Sequence, residues 1–284
     1  MTFKVKESQI AGYFSRGYAV VEGVVPSSLI GDLRRLEGRY RALLTADATN
    51  GRTDQFKLCD GDADLDVQPV RDLSQLPQLH DAVAQLIGCD EFVCFRTDRP
   101  STIFRNELRA HRPCCKSWHR DITPKYVNES LEATAELARD PQMFNSIYCP
   151  LYRDSSLWYV PGSSVRDDTE AELAIHYSNQ MRYLPEELDA MEAERVEALL
   201  VEAARRMPGG RCIEMFPGDL CLFRARGWHF GLYLPYHIRA TLGDQVWTPR
   251  REQWERDWEL RRKKVAKGNR PKFDQHRPLA TSGT

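Results

Sequence analysis

The sequence lacks a surplus of charge of either sign. Its 40 Lys and Arg residues nearly balance 41 Asp and Glu residues, and the formal net charge at pH 7 is -1. A balanced charge provides no general attraction to nucleic acid or to an anionic membrane surface. We therefore expect neither nucleic acid nor a membrane as a partner.

Long hydrophobic runs are missing as well. No stretch approaches the roughly 18 apolar residues that a membrane-spanning helix needs. Residues 1–7, MTFKVKE, contain no apolar signal-peptide core. We therefore expect a cytoplasmic protein.

The eight cysteines lack any regular spacing, and no two of them form a CxxC pair. This spacing gives no sign of a disulfide framework, so we expect reduced thiols, several of them buried as small hydrophobic residues. Cys114 and Cys115 have a second interpretation as reactive thiols, because this neighbouring pair lies close to His119 in the sequence.

Internal repeats and low-complexity linkers are absent too. The chain has 284 residues, of which 42% are hydrophobic and 29% charged, an ordinary composition for a globular protein. It is long enough for one large core, and β-rich barrels of this size often form one domain. We expect a single domain over residues 1–284.

The hydrophobic periodicity places helices first and short strands afterwards. Amphipathic helical spacing occurs at 7–16, which Gly17 ends, and at 26–44, 76–87 and 129–140. Alternating or β-branched stretches predict strands at 18–25, 92–95, 103–111, 143–149, 156–160, 211–216, 219–224, 228–234 and 237–247. This order favours an α+β, mainly β fold, a β-sandwich or jelly-roll core flanked by helices.

Two further helical segments interrupt the strands at about 165–207, the second near 185–206. An insertion between the strands of a barrel covers its mouth or pairs with another subunit. We expect a lid that excludes water, with a homodimer contact as the alternative.

A C-terminal helix is expected near 250–266, within a helix and polar tail that cover about 250–284. Its basic residues are interleaved with Trp254 and Trp258, which is compatible with a nucleic-acid or membrane surface. Acidic residues interrupt the basic ones, so a solvated helix docked through its tryptophans is favoured.

His119 and Asp121 follow the alternating stretch 103–111 after seven residues. Residues two apart on an extended backbone point to the same side, so this imidazole and this carboxylate can bind one metal ion together. The spacing also fits a structural His hydrogen-bonded to a nearby Asp. His229 is a candidate third ligand, and two His with one carboxylate on one side of a metal is the arrangement of non-haem Fe(II) oxygenases.

Several motifs occur in the order in which one protein family carries them. They are GYAVVEGVVP at 17–26, Trp118-His119-x-Asp121, VPGS at 160–163, Pro217-Gly218-Asp219-x-x-x-Phe223, His229, and Arg239 ten residues later. Over about residues 7–247 the chain resembles the phytanoyl-CoA dioxygenase family of Fe(II)/2-oxoglutarate-dependent oxygenases. The resemblance implies a double-stranded β-helix, a cupin-like jelly-roll barrel whose mouth holds the iron.

The resemblance also implies the site residues and the reaction. His119, Asp121 and His229 would bind Fe(II), and Arg239 would bind the far carboxylate of the co-substrate 2-oxoglutarate. O2 would be the other co-substrate, and succinate and CO2 would be released. Because related halogenases carry a small residue at the position of Asp121, its carboxylate indicates hydroxylation or another oxidation such as desaturation.

Two positions stay open in this comparison. Many relatives carry a polar residue upstream of the His-x-Asp pair that helps to hold 2-oxoglutarate, and here Arg109 is expected in that role, with Arg112 and Lys116 as alternatives. Beyond His229 the chain reads FGLYLPYH, where many relatives have a small residue followed by Asn. This departure makes His237 an alternative ligand or a supporting group.

The substrate is expected to be a small, polar and anionic metabolite or natural-product intermediate. Arg105, Arg109 and His111 share one side of the strand that leads to the metal pair. An Arg in a partly dry cavity is costly unless an anion meets it, although Glu107 could neutralise one of them. Trp158 is a further candidate for substrate contact. The alternative function is a non-catalytic jelly-roll protein that binds a metal or a ligand.

Overall fold

The computed structural model describes residues 2–43, 55–57, 66–98, 103–106, 114–115, 118–127, 129–178, 191–233 and 238–267. Several predicted site residues lie outside these ranges, namely Glu107, Arg109, His111, Arg112, Lys116 and His237. For Arg105, Cys114 and Cys115 the backbone is described but the side chain is not.

The described residues form ten strands and nine α-helices. The helices are α1 (Glu7–Arg16), α2 (Ser27–Leu43), α3 (Gln68–Ser74), α4 (Pro77–Ile87), α5 (Pro124–Val127), α6 (Leu131–Arg139), α7 (Glu170–Tyr177), α8 (Ala193–Arg205) and α9 (Pro249–Lys267). The strands are β1 (Tyr18–Val21), β2 (Gln55–Lys57), β3 (Ile103–Asn106), β4 (Cys114–Cys115), β5 (Asn145–Pro150), β6 (Asp154–Tyr159), β7 (Arg211–Met215), β8 (Leu220–Arg224), β9 (His229–Tyr233) and β10 (Ala240–Val246).

The strands form two sheets whose neighbours are antiparallel. The larger sheet has the order β1-β8-β5-β10-β3-β2, and the smaller one has the order β4-β9-β6-β7. Tyr148 and Phe223 of the larger sheet pack with Leu157, Tyr159 and Ile213 of the smaller one, so the two sheets face each other across a shared core. The predicted α+β fold with a β core is confirmed.

The other face of the larger sheet is covered by the N-terminal helices. This face carries Leu222, Ile147 and Leu242, which alternate along their strands with residues of the inner core. They pack against the apolar side of α4, which includes Leu79 and Val83. Gly17 ends α1 as predicted, because it adopts φ 86°, a left-handed conformation that costs glycine little, and its N–H bonds the Tyr13 carbonyl.

Local predictions differ from the structure at several short elements; for example, the predicted strand 18–25 ends at Val21. Residues 92–95 form only a single bridge, Val93 to Trp247, and not a strand. Helix α3 was not predicted, because with seven residues and only Val70 and Leu73 buried it carries too little periodic signal.

The helical insertion contains α7 and α8, and residues 179–190 between them lie outside the described ranges. Val196 and Leu200 of α8 pack against Trp158 and Phe230 on the outer face of the smaller sheet. Helix α8 therefore covers a sheet face. The lid and the homodimer contact stay predictions.

The C-terminal helix α9 docks through its tryptophans. Trp254 meets the ring of Phe144 edge-on at 5.0 Å, and Trp258 stacks on Trp254 with ring centroids 6.1 Å apart. Arg251 lies buried with its guanidinium carbon 4.0 Å from the Phe144 ring centroid, and burial lowers the pKa of Arg251. The docked helix agrees with the favoured interpretation.

Three of the cysteines are buried free thiols, Cys94, Cys149 and Cys221. Burial raises the pKa of each, that of Cys149 to about 12. These three are protonated small hydrophobic residues at neutral pH, as expected. Within the described ranges, no helix has both the length and the apolar character that a membrane crossing requires.

Candidate metal centre

A two-way backbone bridge joins His119 to His229. The N–H of each residue donates to the carbonyl oxygen of the other at 3.0 Å, just beside the paired strands β4 and β9. Residues that exchange both hydrogen bonds lie directly opposite each other. The two imidazole rings consequently lie side by side, with centroids 4.2 Å apart.

Asp121 brings its carboxylate between the two rings. Its backbone N–H donates to the Ala225 carbonyl at 3.0 Å. Its Oδ1 lies 3.5 Å from Nε2 of His119, and its Oδ2 lies 3.5 Å from Nε2 of His229. Candidate ligand atoms of the three residues all lie within 4.8 Å of one another. The structure therefore brings the predicted triad together around one point.

The proton on His229 is placed by a backbone carbonyl. Nδ1 lies 2.9 Å from the Gly227 carbonyl oxygen, so Nδ1 carries the proton and donates it. Nε2, the nitrogen near Asp121, is then left with a lone pair. A histidine ligand commonly donates its other ring N–H in this way, which fixes both the tautomer and the ring orientation.

Gly227 has no room for a side chain. Its N–H donates to the Arg224 carbonyl at 2.9 Å, and the Tyr159 hydroxyl donates to the same carbonyl at 3.0 Å. A Cβ on Gly227 would lie 1.8 Å from the Tyr159 hydroxyl oxygen. The turn that presents His229 therefore depends on glycine at this position.

A second series of backbone bonds holds Asp121. Ala225, whose carbonyl accepts the Asp121 N–H, donates its own N–H to the Phe144 carbonyl at 2.9 Å. Phe144 has φ 49°, a left-handed conformation that is unusual for a bulky residue. The buried Arg251 guanidinium lies against its ring. Helix α9 thus supports the backbone that places Asp121, although it supplies no member of the triad.

Arg120, between the two proposed ligands, points away from them and binds the insertion. It donates to the Ser163 carbonyl at 2.8 Å, pairs with Asp168 and lies over the Trp228 ring, 4.7 Å from the centroid. Trp228 Nε1 donates to the same Asp168 at 2.9 Å. Arg120 and Asp168 are 48 positions apart in the sequence, and Trp228 and Asp168 are 60 apart. The sequence interpretation missed them.

The triad is open on one side. The side chain of His229 is 8% exposed, whereas those of His119 and Asp121 are 31% and 44% exposed. Two neutral imidazoles and a carboxylate suit Fe(II), and they also suit Zn²⁺. A metal held from one side by three protein atoms keeps positions for small molecules.

Arg239 belongs to a buried polar cluster with Asp154. Its Nε donates to Asp154 Oδ2 at 2.9 Å, and both side chains are buried. Burial raises the pKa of Asp154, but Arg239 and hydrogen bonds from Ser156 and Thr241 outweigh it and hold this pKa below the usual value. The carboxyl is therefore ionised at neutral pH, and it is paired with the guanidinium.

Arg105 and Trp158, the predicted substrate contacts, lie on β3 and β6. Arg105 lies opposite Thr241 in the register of β3 and β10. Trp158 lies opposite Phe230 and packs with it and α8, whereas its neighbour Tyr159 lies opposite His229 in the inner core. Since successive strand residues point to opposite faces, Trp158 is on the face away from the triad. The structure does not bring Trp158 to the site.

Comparisons with known proteins agree on the fold. No family model and no curated protein matches the chain. The structure is similar to the non-haem alpha-ketoglutarate-dependent epimerase SnoN from nogalamycin biosynthesis, with a TM-score of 0.50 and 15% identity over 85% of this chain and 80% of SnoN. EctD from S. alaskensis, solved with 2-oxoglutarate and 5-hydroxyectoine, gives a TM-score of 0.50 and 18% identity over 86% of this chain and 76% of EctD.

A third structure, EvdMO1, gives a TM-score of 0.52 and 16% identity over 85% of this chain. The matched part is 49% of EvdMO1, so this chain spans about half of that protein. At identities this low the likeness establishes the shared fold. It confirms the expected cupin-like jelly roll.

We predict that Gly227→Ala weakens metal binding. The added Cβ collides with Tyr159, and the turn must shift the His229 ring. Overpacking of this kind costs about 1–3 kcal/mol of stability. A displaced ligand should lower the affinity for Co(II) at least about tenfold, or about 1.4 kcal/mol. Anaerobic calorimetric titration with Co(II), at a temperature well below the melting point, measures the effect.

Gly38→Ala is the matched control. No atom lies within 4 Å of a Cβ built on Gly38, which is inside helix α2. That variant should bind Co(II) like the wild type and gain up to about 1 kcal/mol of stability from helix propensity. Wild-type Co(II) affinity in Gly227→Ala would show that the turn does not position His229.

Proposed function

We propose that this chain is an Fe(II)- and 2-oxoglutarate-dependent dioxygenase. The observation that carries the proposal is the convergence of His119, Asp121 and His229 on one point with an exposed side. The donor set matches the two-His, one-carboxylate arrangement of non-haem Fe(II) oxygenases. Iron in such a site supplies the O2 activation that is coupled to the conversion of 2-oxoglutarate to succinate and CO2.

The protein contributes ligands that are arranged in advance. The bridge between His119 and His229 fixes the positions of the two imidazoles, and the Gly227 carbonyl selects the tautomer of the neutral His229 ring in which Nε2 has the lone pair. Asp121 adds one negative charge, which partly offsets a divalent ion. A metal held on one side by these three residues would keep positions for a 2-oxo acid and O2.

Arg239 is proposed to hold the far carboxylate of 2-oxoglutarate. Arg binds carboxylates in a planar, bidentate geometry, and burial strengthens that interaction. Arg239 is 4% exposed and precedes β10, in the sheet that faces the triad-bearing sheet. Arg109 is proposed as a second contact to the co-substrate, from outside the described ranges. SnoN is named as an alpha-ketoglutarate-dependent enzyme and EctD was solved with 2-oxoglutarate, which supports the same co-substrate here.

The proposed reaction is hydroxylation of a small, polar and anionic metabolite or natural-product intermediate. The carboxylate of Asp121 supports hydroxylation, since it occupies the place that a halide would need. The register of Arg105 opposite Thr241 supports an anionic substrate, because Thr241 belongs to the same buried cluster as Arg239.

The proposal predicts a visible charge-transfer band when Fe(II) and 2-oxoglutarate are added without O2. The band arises only when a 2-oxo acid chelates the bound Fe(II). His119→Ala and His229→Ala should abolish it, because each removes a ligand. His80→Ala, in helix α4 on the face of the larger sheet away from the smaller sheet, is the control and should retain it. Anaerobic absorption spectroscopy gives the result.

Metal binding without the band, in folded wild-type protein, would contradict the proposal. It would instead support a jelly-roll protein that binds a metal or a ligand without catalysis. Succinate formation that depends on Fe(II) and O2 provides a second, independent readout.

The substrate proposal predicts a selective defect in Arg105→Ala. A panel of small carboxylates and phosphates is screened for compounds that stimulate succinate formation. For a compound that does so, Arg105→Ala should raise the apparent KM at least about tenfold, which is about 1.4 kcal/mol of lost binding. Succinate formation without substrate should stay near the wild-type rate. Loss of 2-oxoglutarate binding, or no change at all, would contradict an anionic substrate held by Arg105.

A further inference from the structure

We propose that Asp154 is a positioning residue that orients Arg239 towards the far carboxylate of the 2-oxo acid co-substrate. The proposal rests on the proposed function. Asp154 itself touches neither the metal nor the co-substrate in this account. It acts by orienting the guanidinium of Arg239.

The Asp154 carboxylate accepts four hydrogen bonds, from Arg239, Thr241 and Ser156. Oδ2 accepts from Arg239 Nε at 2.9 Å and from the Thr241 hydroxyl. Oδ1 accepts from the Ser156 N–H at 2.8 Å and from the Ser156 hydroxyl at 2.6 Å. Each oxygen therefore has two donors, and the carboxylate is fixed on both sides.

The cluster is shielded from water. Asp154 is 1% exposed, Thr241 0%, Arg239 4% and Ser156 5%. Moving a buried carboxylate away from its donors leaves charges unpaired in a medium of low dielectric, which costs several kcal/mol. An incoming anion therefore does not displace Asp154. It must bind to Arg239 while Asp154 stays in place.

The fold explains why this pair forms. Strand β5 ends with Pro150 opposite Thr241, and the Leu151 N–H donates to the Ala240 carbonyl at 2.8 Å. The chain then crosses from the larger sheet to the smaller one, where Asp154 begins β6. The crossing places Asp154 beside Arg239, although the two residues are 85 positions apart.

The contact through Nε sets the plane of the guanidinium. An Arg side chain that is bonded only through its terminal nitrogens keeps freedom to turn about its last bonds, whereas a bonded Nε removes that freedom. In a bidentate contact the carboxylate lies in the plane of the guanidinium. Asp154 therefore prepares Arg239 for a carboxylate that meets its terminal nitrogens.

Strand β6 sets an upper limit to the distance between Asp154 and the triad. Tyr159 lies opposite His229, and Asp154 is five residues before Tyr159 on β6. The Cα atoms of Asp154 and Tyr159 are therefore at most about 16 Å apart. The terminal carbons of a five-carbon diacid are about 5 Å apart, from four C–C bonds of about 1.5 Å. This limit is compatible with a five-carbon diacid, its metal–ligand bonds and the guanidinium lying between the triad and Asp154.

The test compares two 2-oxo acids with the same five-carbon chain. 2-Oxoglutarate has the far carboxylate, and 2-oxopentanoate lacks it. Both are titrated calorimetrically into Co(II)-loaded wild type, Asp154→Asn, Arg239→Met and the double variant. Binding is measured directly, so the result does not depend on turnover. Asn keeps the size of Asp but removes the charge and places an NH2 group among donors.

We expect Asp154→Asn to lower the affinity for 2-oxoglutarate by about 10- to 100-fold, the range typical of groups that orient a ligand-binding side chain. Its affinity for 2-oxopentanoate should match the wild type. The double variant should bind 2-oxoglutarate no more weakly than Arg239→Met, because Asp154 acts only through Arg239. Asp219→Asn is the control, since Asp219 is also buried and accepts the Phe216 N–H at 2.8 Å, in the turn before β8. It should bind both acids normally.

Thr241→Val keeps the test decisive if Asp154→Asn does not fold. This variant removes one donor to Oδ2 and should weaken 2-oxoglutarate alone, by about fivefold. Unchanged or tighter binding of 2-oxoglutarate in Asp154→Asn would overturn the proposal, and so would an equal loss for both acids. If the Co(II)-loaded wild type binds neither acid, the proposed function itself fails.

Discussion

The rest of the site depends on the exchange of two backbone hydrogen bonds between His119 and His229. These residues are 110 positions apart, and the exchange places their side chains next to each other without any side-chain contact being required. It forms only because β4 and β9 pair in the smaller sheet. Asp121, two residues further on, then reaches the same point. A displacement of the turn at Gly227, or of the Phe144 carbonyl that supports Ala225, would shift a ligand atom directly.

Two ion pairs near this constraint link separate parts of the fold. Arg120 joins the metal motif to Asp168 at the start of the insertion, and Arg239 joins the end of one sheet to Asp154 at the start of a strand in the other. Such pairs add little net stability, because desolvation offsets most of the attraction, but breaking one leaves a costly unpaired charge. Their effect is to fix the relative positions of the elements that they join. The insertion and the barrel are thereby held in one arrangement relative to the triad.

The sequence predicted the features that depend on local spacing. The two-residue spacing of His119 and Asp121 was sufficient to place both on one side, and Gly17 indicated the end of α1 correctly. Arg239 came from the family resemblance, which also supported His229 as the third ligand, because no local pattern connects either residue to the pair. The inward or outward direction of the second half of β6 could not be predicted, since Leu157, Trp158 and Tyr159 are consecutive large apolar residues and all three are buried. Trp158 was a candidate for substrate contact, and in the structure it packs under α8. The pairings of Arg120 and Asp154 depend on contacts across many residues and have no sequence signal.

X-ray absorption spectroscopy of the Fe(II)-loaded protein tests the central claim most directly. Multiple scattering from imidazole rings counts the histidine ligands, and sulfur ligands appear at a distinct distance of about 2.3 Å. Binding by His119, Asp121 and His229 predicts two imidazoles, with oxygen donors in the remaining positions and no sulfur. A spectrum with a sulfur ligand, with a single imidazole, or with a third imidazole such as that of His237 would contradict this triad as the metal centre.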